Sequence, residues 1–307
     1  MRICIQINGP RKFYGIDGSY ALIKEAGFDA VDVDFESIVT KDRIKNMSVP
    51  EFWLEKGDNF DRRFFAEYLN ASKKYHLDNF QAHSPFPSLL WGVDGYFNDG
   101  LIEMHRKMIA ACDYIGCRNL VIHPFFHSFE HMMDQDEELK VNIDRYSRLI
   151  PTARKYGVNI LLENMFSRFG GIPYEAFSSD MDTACSCIDT LNNIAGANIF
   201  GFCLDTGHLH LLGKDQYRAI VRLGKRIYAF HVHDNDGIHD QHVAPYMGTI
   251  QWDRFIAGLK EIGFNGTLDF ETQNIWKTMD PEIARQMMKV IAYTGRMFAR
   301  RAGLDEE

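Results

Sequence analysis

Ile160-Leu161-Leu162-Glu163 is a short apolar run that ends on a carboxylate, and this pattern decides the fold of the chain. A continuous apolar run of this length is typical of a strand that is covered on both faces. Five further runs end on an acid or an imidazole: Gln81-Ala82-His83, Leu120-Val121-Ile122-His123, Phe202-Cys203-Leu204-Asp205, Ala229-Phe230-His231 and Leu268-Asp269-Phe270-Glu271. The last residues of the six runs are 40, 40, 42, 26 and 40 positions apart, which indicates one repeated structural unit.

Two more runs complete a set of eight strands, which we predict near 2–7, 30–35, 79–83, 119–123, 159–163, 200–205, 228–233 and 266–271. Helical patterns lie between them, at Arg62 to His76, Leu101 to Ile115, Arg145 to Tyr156, Thr183 to Ile194, Gln216 to Leu223, Trp252 to Ile262 and Pro281 to Arg301. Several of these patterns close with a glycine, the residue expected just past a helix end. Eight alternating units predict an α/β fold, a single (β/α)8 TIM barrel over residues 1–307, with its active site at the C-terminal ends of the strands.

Two stretches are longer than the minimal unit and are predicted to be insertions, near 38–61 and near 125–139. Both follow a strand on the side where the site is expected, and both carry aromatic residues. They could serve equally as lids or as contacts between subunits. An oligomer is therefore left open at this point.

Composition narrows the class of protein. The net charge of −8 among 307 residues argues against a broad nucleic-acid surface, which normally shows a basic stripe. No apolar stretch approaches the roughly 18 residues that a membrane helix needs, and the N-terminus lacks the pattern of a signal peptide. Six scattered cysteines without a Cys-x-x-Cys pair favour reduced thiols and a cytoplasmic protein.

Polar side chains at the ends of parallel strands converge, so the six runs predict a metal site. A lone histidine at a strand end is more often a hydrogen-bonded core residue than a metal ligand. Six strands end on an acid or an imidazole, however, and this explanation would have to hold separately for each of them. Carboxylates mixed with imidazoles suit one divalent ion such as Mn²⁺, Mg²⁺, Co²⁺ or Zn²⁺. Three further candidates are His208, which follows Asp205 by three residues, and Asp240 and His242 in a loop. His233 is predicted to support the site rather than to bind the ion.

At these residues the chain resembles the xylose-isomerase-like barrel superfamily, which includes sugar-phosphate isomerases and epimerases and endonuclease IV-type apurinic nucleases. The matching motifs are Leu162-Glu163, Asp205-Thr206-Gly207-His208, the histidine His231 before Val232-His233-Asp234, and the strand-eight glutamate Glu271. The resemblance implies that Glu163, Asp205, His231 and Glu271 hold one divalent metal ion. It also implies that Glu163 and Glu271 are catalytic, acting as acid and base on opposite faces of a sugar carbon.

The resemblance therefore implies an isomerase or epimerase of a sugar or sugar phosphate that works through a metal-stabilised enediolate. His83, His123, His208, Asp240 and His242 are expected to bind the substrate, with aromatic residues such as Trp91 and Phe125 stacking on the sugar. The expected partner is a small molecule, with no nucleic acid and no membrane. Arg168-Phe169-Gly170-Gly171 is the one segment that suggests a phosphate contact.

Two alternatives use the same residues. A lyase or dehydratase would expel a leaving group from the enediolate instead of reprotonating it. A phosphodiesterase acting on abasic DNA would use up to three Zn²⁺ ions, and His83, His123, His208, Asp240 and His242 match the additional ligands of the nuclease branch. A non-catalytic binding module is least favoured, because it needs no ring of acids.

Overall fold

A computed structural model describes residues 1–57, 62–126 and 133–304 of the chain. Its strands are β1 (Arg2–Gln6), β2 (Ala30–Asp34), β3 (Asp78–His83), β4 (Asn119–Val121), β5 (Asn159–Glu163), β6 (Phe166–Phe169), β7 (Ile172–Glu175), β8 (Phe200–Asp205), β9 (Ile227–Val232) and β10 (Thr267–Phe270). All except β6 and β7 form a closed barrel of eight parallel strands, in the order β1-β10-β9-β8-β5-β4-β3-β2. The predicted α/β barrel is confirmed.

Helices follow the strands and cover the outside of the barrel. They are α1 (Asn8–Ala26), α2 (Lys41–Lys45), α3 (Glu51–Leu54), α4 (Ala66–Tyr75), α5 (Gly95–Ile115), α6 (Gln135–Ser147), α7 (Ile150–Tyr156), α8 (Met181–Ala195), α9 (Thr206–Leu211), α10 (Gln216–Leu223), α11 (Trp252–Ile262), α12 (Ile275–Thr278) and α13 (Pro281–Ala302). Short 3₁₀ turns lie at Phe35–Ser37, Arg62–Phe64 and Gly224–Arg226. Left-handed glycines end several helices, such as Gly116 (φ 77°) after α5.

The alternation of side chains along each strand determines which residues face the barrel axis. Leu162 packs outward into the large core under the helices, whereas Leu161 belongs to a small interior cluster with Val121, Cys203 and Ala229. Side chains repeat every second residue in a strand. The residues two positions beyond this apolar layer therefore lie above it, inside the mouth of the barrel, and they are His123, Glu163, Asp205 and His231.

Closure of the barrel brings the two ends of the chain together. β1 pairs in parallel with β10, with Ile3 opposite Leu268. Helix α13 packs over this pair at Gly295, where a Cβ atom would lie 2.3 Å from Cγ2 of Ile3. Only glycine allows so close an approach of the last helix to the first strand.

Four details differ from the sequence-based prediction. The helix predicted from Arg145 to Tyr156 is two helices, because Pro151 lies in the first turn of α7 and lacks the N–H that a continuous helix needs. Helix α5 begins at Gly95 rather than at Leu101, since Asp94 caps its first turn. Strand β4 ends at Val121, so His123 lies two residues past it. The antiparallel hairpin β6–β7 was not predicted.

The two predicted insertions are only partly described. Helices α2 and α3 lie in the stretch 38–61, and the first residues of α6 lie in the stretch 125–139. Residues 58–61 and 127–132 are outside the described ranges. Within those ranges, no helix is long and apolar enough to cross a membrane. All six cysteines are buried and free.

Candidate active site

Four side chains from separate strands meet at the C-terminal mouth of the barrel. His231 Nδ1 lies 3.1 Å from Glu163 Oε1, 3.6 Å from Glu271 Oε2 and 3.9 Å from Asp205 Oδ2. These are the four residues that the resemblance assigns to one metal ion. Three of them are at most 1% exposed, and Glu271 is 9% exposed. The structure therefore brings the predicted set together around one point.

A second group shares the other oxygen of Glu163. Its Oε2 lies 3.2 Å from His123 Nε2 and 3.6 Å from His83 Nε2. The two imidazoles are also in contact, with their Nε2 atoms 3.0 Å apart. His83 and His123, which were predicted as substrate ligands, thus lie directly beside the carboxylate of Glu163.

A third group adjoins the first through His208. Asp240 Oδ2 is 3.0 Å from His242 Nε2 and 3.8 Å from His208 Nε2. His208 Nδ1 is 3.4 Å from Glu163 Oε1, so this group is continuous with the first. His208, Asp240 and His242 therefore all face the site, including the two loop residues.

Local structure explains why Asp205 is held so firmly. It is the last residue of β8 and also the N-cap of α9, where its Oδ1 accepts the backbone N–H of His208 at 2.7 Å. Its Oδ2 lies 3.0 Å from Nε2 of His233. Asn164 exchanges two hydrogen bonds with the Asp205 backbone. His233 thus has the supporting position that its place in the sequence predicted.

A buried polar layer beneath His231 was missed. Nε2 of Gln81 lies 2.8 Å from His231 Nε2 and 3.4 Å from carboxylate oxygens of both Asp32 and Asp269. All four residues are fully buried. A signal was present in the sequence, because Asp269 interrupts an apolar run and shares its strand face with Glu271.

The crowded charges change the pKa values of the imidazoles. Burial disfavours the charged form of His83, but the nearby carboxylate of Glu163 favours it and raises the pKa of His83 to about 9. Burial lowers the pKa of His123 to about 4, which leaves it neutral beside its charged neighbour. For His242, the charges of Glu271 and Asp240 outweigh burial and raise the pKa to about 9. At neutral pH, His83 and His242 are thus protonated in the metal-free protein, whereas His123 is neutral.

The residues present fit a divalent cation. Ligand atoms of Glu163, Asp205 and His231 lie within 4.8 Å of one another, as do those of His83, His123 and Glu163. Glu163 Oε2 is buried and accepts no hydrogen bond of good geometry. A carboxylate and imidazole set of this kind suits Zn²⁺ or Mn²⁺.

The floor of a cavity of about 780 Å³ consists of Glu163 and Glu271 together with His83, His123, His208, Asp240 and His242. Trp91 and Phe125 line it as predicted, but the ring of Phe125 is buried and packs against Tyr146 at 5.5 Å. Phe86, Phe126 and Phe166 also line the cavity and are only half-buried. The guanidinium of Arg168 donates to the carbonyls of Gly171 and Ile238, so backbone groups engage the residue that suggested a phosphate contact.

The chain belongs to the xylose isomerase-like TIM barrel family, whose profile matches residues 20–294. It is 27% identical to an inosose isomerase of Bacillus velezensis over 177 residues, which are 56% of this chain and 59% of that protein. Among solved structures, it is similar to that of the IOLI protein with a binding zinc atom, with a TM-score of 0.73, 20% identity and coverage of 98% and 99% of the two chains. An L-ribulose 3-epimerase gives a TM-score of 0.72 at 15% identity, covering 98% of this chain and 95% of that one. At these identities, the two structural likenesses show the fold alone.

Proposed function

We propose that this protein is a divalent-metal-dependent isomerase or epimerase of a sugar, a sugar phosphate or a related polyhydroxy ketone. One observation carries the proposal: carboxylate oxygens of Glu163, Asp205 and Glu271 all lie within 3.9 Å of Nδ1 of His231. The names of the inosose isomerase and the L-ribulose 3-epimerase support the same reaction class.

Glu163, Asp205, His231 and Glu271 would hold the ion. When bound, it would polarise a carbonyl and an adjacent hydroxyl and offset the negative charge of an enediolate. Glu163 and Glu271 would move the proton, one removing it from carbon and the other returning it to the opposite face. Gln6 supports this role, because its Nε2 donates to Glu271 Oε1 at 2.8 Å and leaves Oε2 facing the ring.

His208 and the pair Asp240 and His242 would bind the substrate oxygens. Charges from Asp205 and Asp240 outweigh burial and raise the pKa of His208, so that it carries a proton to donate. Its Nδ1 faces the carbonyl of Asn164 at 2.8 Å, which leaves Nε2 directed toward Asp240 and the cavity. A donor fixed in this way can stabilise an oxygen on which negative charge develops.

Isotope exchange tests the proposal. The metal-loaded protein is incubated in D₂O with a panel of ketoses, their phosphates and inososes. We expect deuterium on the carbon next to the carbonyl in an isomerised or epimerised product, and loss of exchange in Glu163→Gln and Glu271→Gln. Glu25→Gln is the matched control, because Glu25 is an exposed acid paired with Arg285 and Lys289. No exchange with any member of the panel would contradict the proposal.

The same incubation separates a lyase or dehydratase from an isomerase. Both remove the same proton, but a leaving group β to the carbonyl gives a dehydrated product. A dehydrated product as the main outcome would assign the site to elimination and not to isomerisation.

A nuclease is the second candidate, and one observation favours it. The groups His83–His123–Glu163 and His208–Asp240–His242, the latter with His233, could each hold an ion in addition to the central ring. Three zinc ions per chain together with cleavage of an abasic duplex would support this function. One ion per chain and no cleavage would exclude it. Cytoplasmic location and oligomeric state stay predictions.

A further inference from the structure

The cavity above the ring has two chemically different sides. Its volume of about 780 Å³ lies in the upper part of the ~300–1,000 Å³ range of pockets for drug-sized ligands. Side chains from β1, β2 and the segments after them supply a polar side, which consists of Gln6, Asn8, Asp34, Glu36, Lys41 and Lys45. The segments after β3, β4 and β5 supply an apolar side, which consists mainly of Phe86, Leu89, Leu90, Trp91, Phe126 and Phe166.

The apolar side begins directly at the floor. The ring centroid of Phe86 lies 4.4 Å from that of His123, and the ring of Phe166 lies 5.0 Å from that of His208. Aromatic surfaces therefore touch the imidazoles that face the substrate. A group attached to a bound sugar would therefore meet aromatic rings that lie next to the floor of the cavity.

Few polar atoms on the apolar side are available to a sugar. Trp91 Nε1 donates to the carbonyl of Phe126 at 3.3 Å, and the guanidinium of Arg168 donates to backbone carbonyls. Ser88 and Ser167 are the hydroxyl groups that line this side among the described residues. Sugar hydroxyls placed there would lose hydrogen bonds to water without replacement, which disfavours binding.

We propose that the substrate is a glycoside with a planar apolar aglycone. The sugar ring would lie over the floor and the polar side, and the aglycone would lie against Phe126 and Phe166. Phe86 lies at the boundary between the two sides, because Lys41 Nζ is 5.1 Å from the centre of its ring. The inference rests on the proposed function, because the floor determines where the sugar lies. Since a glycosidic bond blocks the anomeric carbon, the carbonyl must be on another ring carbon. The reaction that supplies this substrate is therefore an oxidation of a ring hydroxyl.

Binding of two unreactive probes tests the proposal without turnover. Calorimetry on the zinc-loaded protein compares phenyl β-D-glucopyranoside with methyl β-D-glucopyranoside, which differ only in the apolar group. We expect the phenyl glycoside to bind at least about tenfold more tightly, as burial of one aromatic ring allows. Phe126→Ala and Phe166→Ala should bring the ratio down to about three or less.

Controls keep the comparison interpretable. Phe13→Ala removes an exposed aromatic ring on α1 that does not line the cavity, and it should leave the ratio unchanged. Phe166→Leu keeps the bulk of the side chain but removes the planar face, while zinc content and melting temperature report on folding. Equal affinities of the two glycosides, an unchanged ratio in both alanine variants, or tighter binding of glucose 6-phosphate would each overturn the proposal. Isotope exchange tests the reaction class separately, so a negative result with the two glycosides would contradict the aglycone proposal and not the proposed isomerase or epimerase reaction.

Discussion

His231 is in contact with two different layers of the barrel, and each ring nitrogen serves one of them. Nδ1 faces the carboxylates of the site, at 3.1 Å from Glu163 Oε1, and Nε2 faces the carboxamide of Gln81 at 2.8 Å. A nitrogen that binds a metal ion must offer its lone pair, so the proton of a neutral imidazole must then be on the other nitrogen. A half-turn of the carboxamide exchanges its nitrogen and oxygen, so the Gln81 oxygen can accept a hydrogen bond from that N–H.

At the residue scale, Gln81→Met should weaken zinc binding by about 10- to 100-fold, the usual effect of losing a partner that orients a ligand histidine. The variant keeps the volume of the side chain but removes its hydrogen-bonding atoms. Competition with a chelator measures the dissociation constant. Gln216→Met is the matched control, because Gln216 is also buried but donates to the carbonyl of Thr206 rather than contacting His231. An equal loss in both variants would contradict a specific role for Gln81.

At the scale of the elements, the segment between β9 and α11 positions Asp240 and His242, and Asp234 holds it together. Asp234 Oδ1 accepts the N–H groups of Asn235 and Ile250, and Oδ2 accepts those of Tyr246 and of the Trp252 indole. This buried carboxylate thus joins the start, the middle and the end of the segment. Gly248 packs against it, where a Cβ atom would lie 2.4 Å from Oδ1.

Asp234→Ala should lower the free energy of unfolding by about 3 kcal/mol or more, because it leaves several buried donors without a partner. If Asp240 and His242 contribute to zinc binding, the variant should also bind zinc more weakly. Chemical denaturation measures the first effect. Asp236→Ala is the comparison, since Asp236 accepts two backbone N–H groups of the same segment but is exposed, and it should cost much less stability than Asp234→Ala. Similar losses in the two variants would refute the role of Asp234.

The strand ends were predictable because burial on both faces gives an apolar run, and a polar residue that ends it lies at the mouth. The hairpin β6–β7 was not predictable in this way, because its short strands are largely exposed and carry no buried run. The contribution of Asp240 and His242 depends on long-range contacts to Asp234 that no local pattern encodes. Gln81 and Asp269 could have been found from the sequence, because each lies two residues before a polar strand end, His83 or Glu271, and therefore on the same face of its strand.

At the scale of the whole molecule, the imidazoles make stability depend on pH. His83 and His242 have pKa values of about 9 in the folded protein, against about 6.5 when unfolded. The folded state therefore binds more protons, so this contribution is fully present below pH 6.5 and is lost as the pH rises through 9. His105 and His123, whose pKa values burial lowers to about 3 and 4, stay neutral throughout pH 7 to 9.

Metal-free protein should accordingly melt at a lower temperature at pH 9 than at pH 7. Its affinity for zinc should rise over the same interval, because protonated His83 and His242 lie 3.6 Å and 3.5 Å from carboxylate oxygens of Glu163 and Glu271 and would repel a cation held there. Thermal melts with a chelator present and zinc titrations at each pH measure the two trends. His83→Gln should reduce the pH dependence of both the melting temperature and the zinc affinity. A zinc affinity that falls or stays constant between pH 7 and 9 would disprove the linkage.

The pairing of β1 with β10 has a consequence for how the protein matures. The hydrogen bond from Gln6 to Glu271 joins residues that are 265 positions apart, and it forms only across that pair. Loop closure over such a distance is an entropic cost that folding meets before any contact offsets it. The four residues that would hold the ion come from β5, β8, β9 and the end of β10, which are neighbours in the barrel and can meet without β1. We therefore expect docking of β1 to be a late step that adds the Gln6 contact and so fixes the orientation of Glu271.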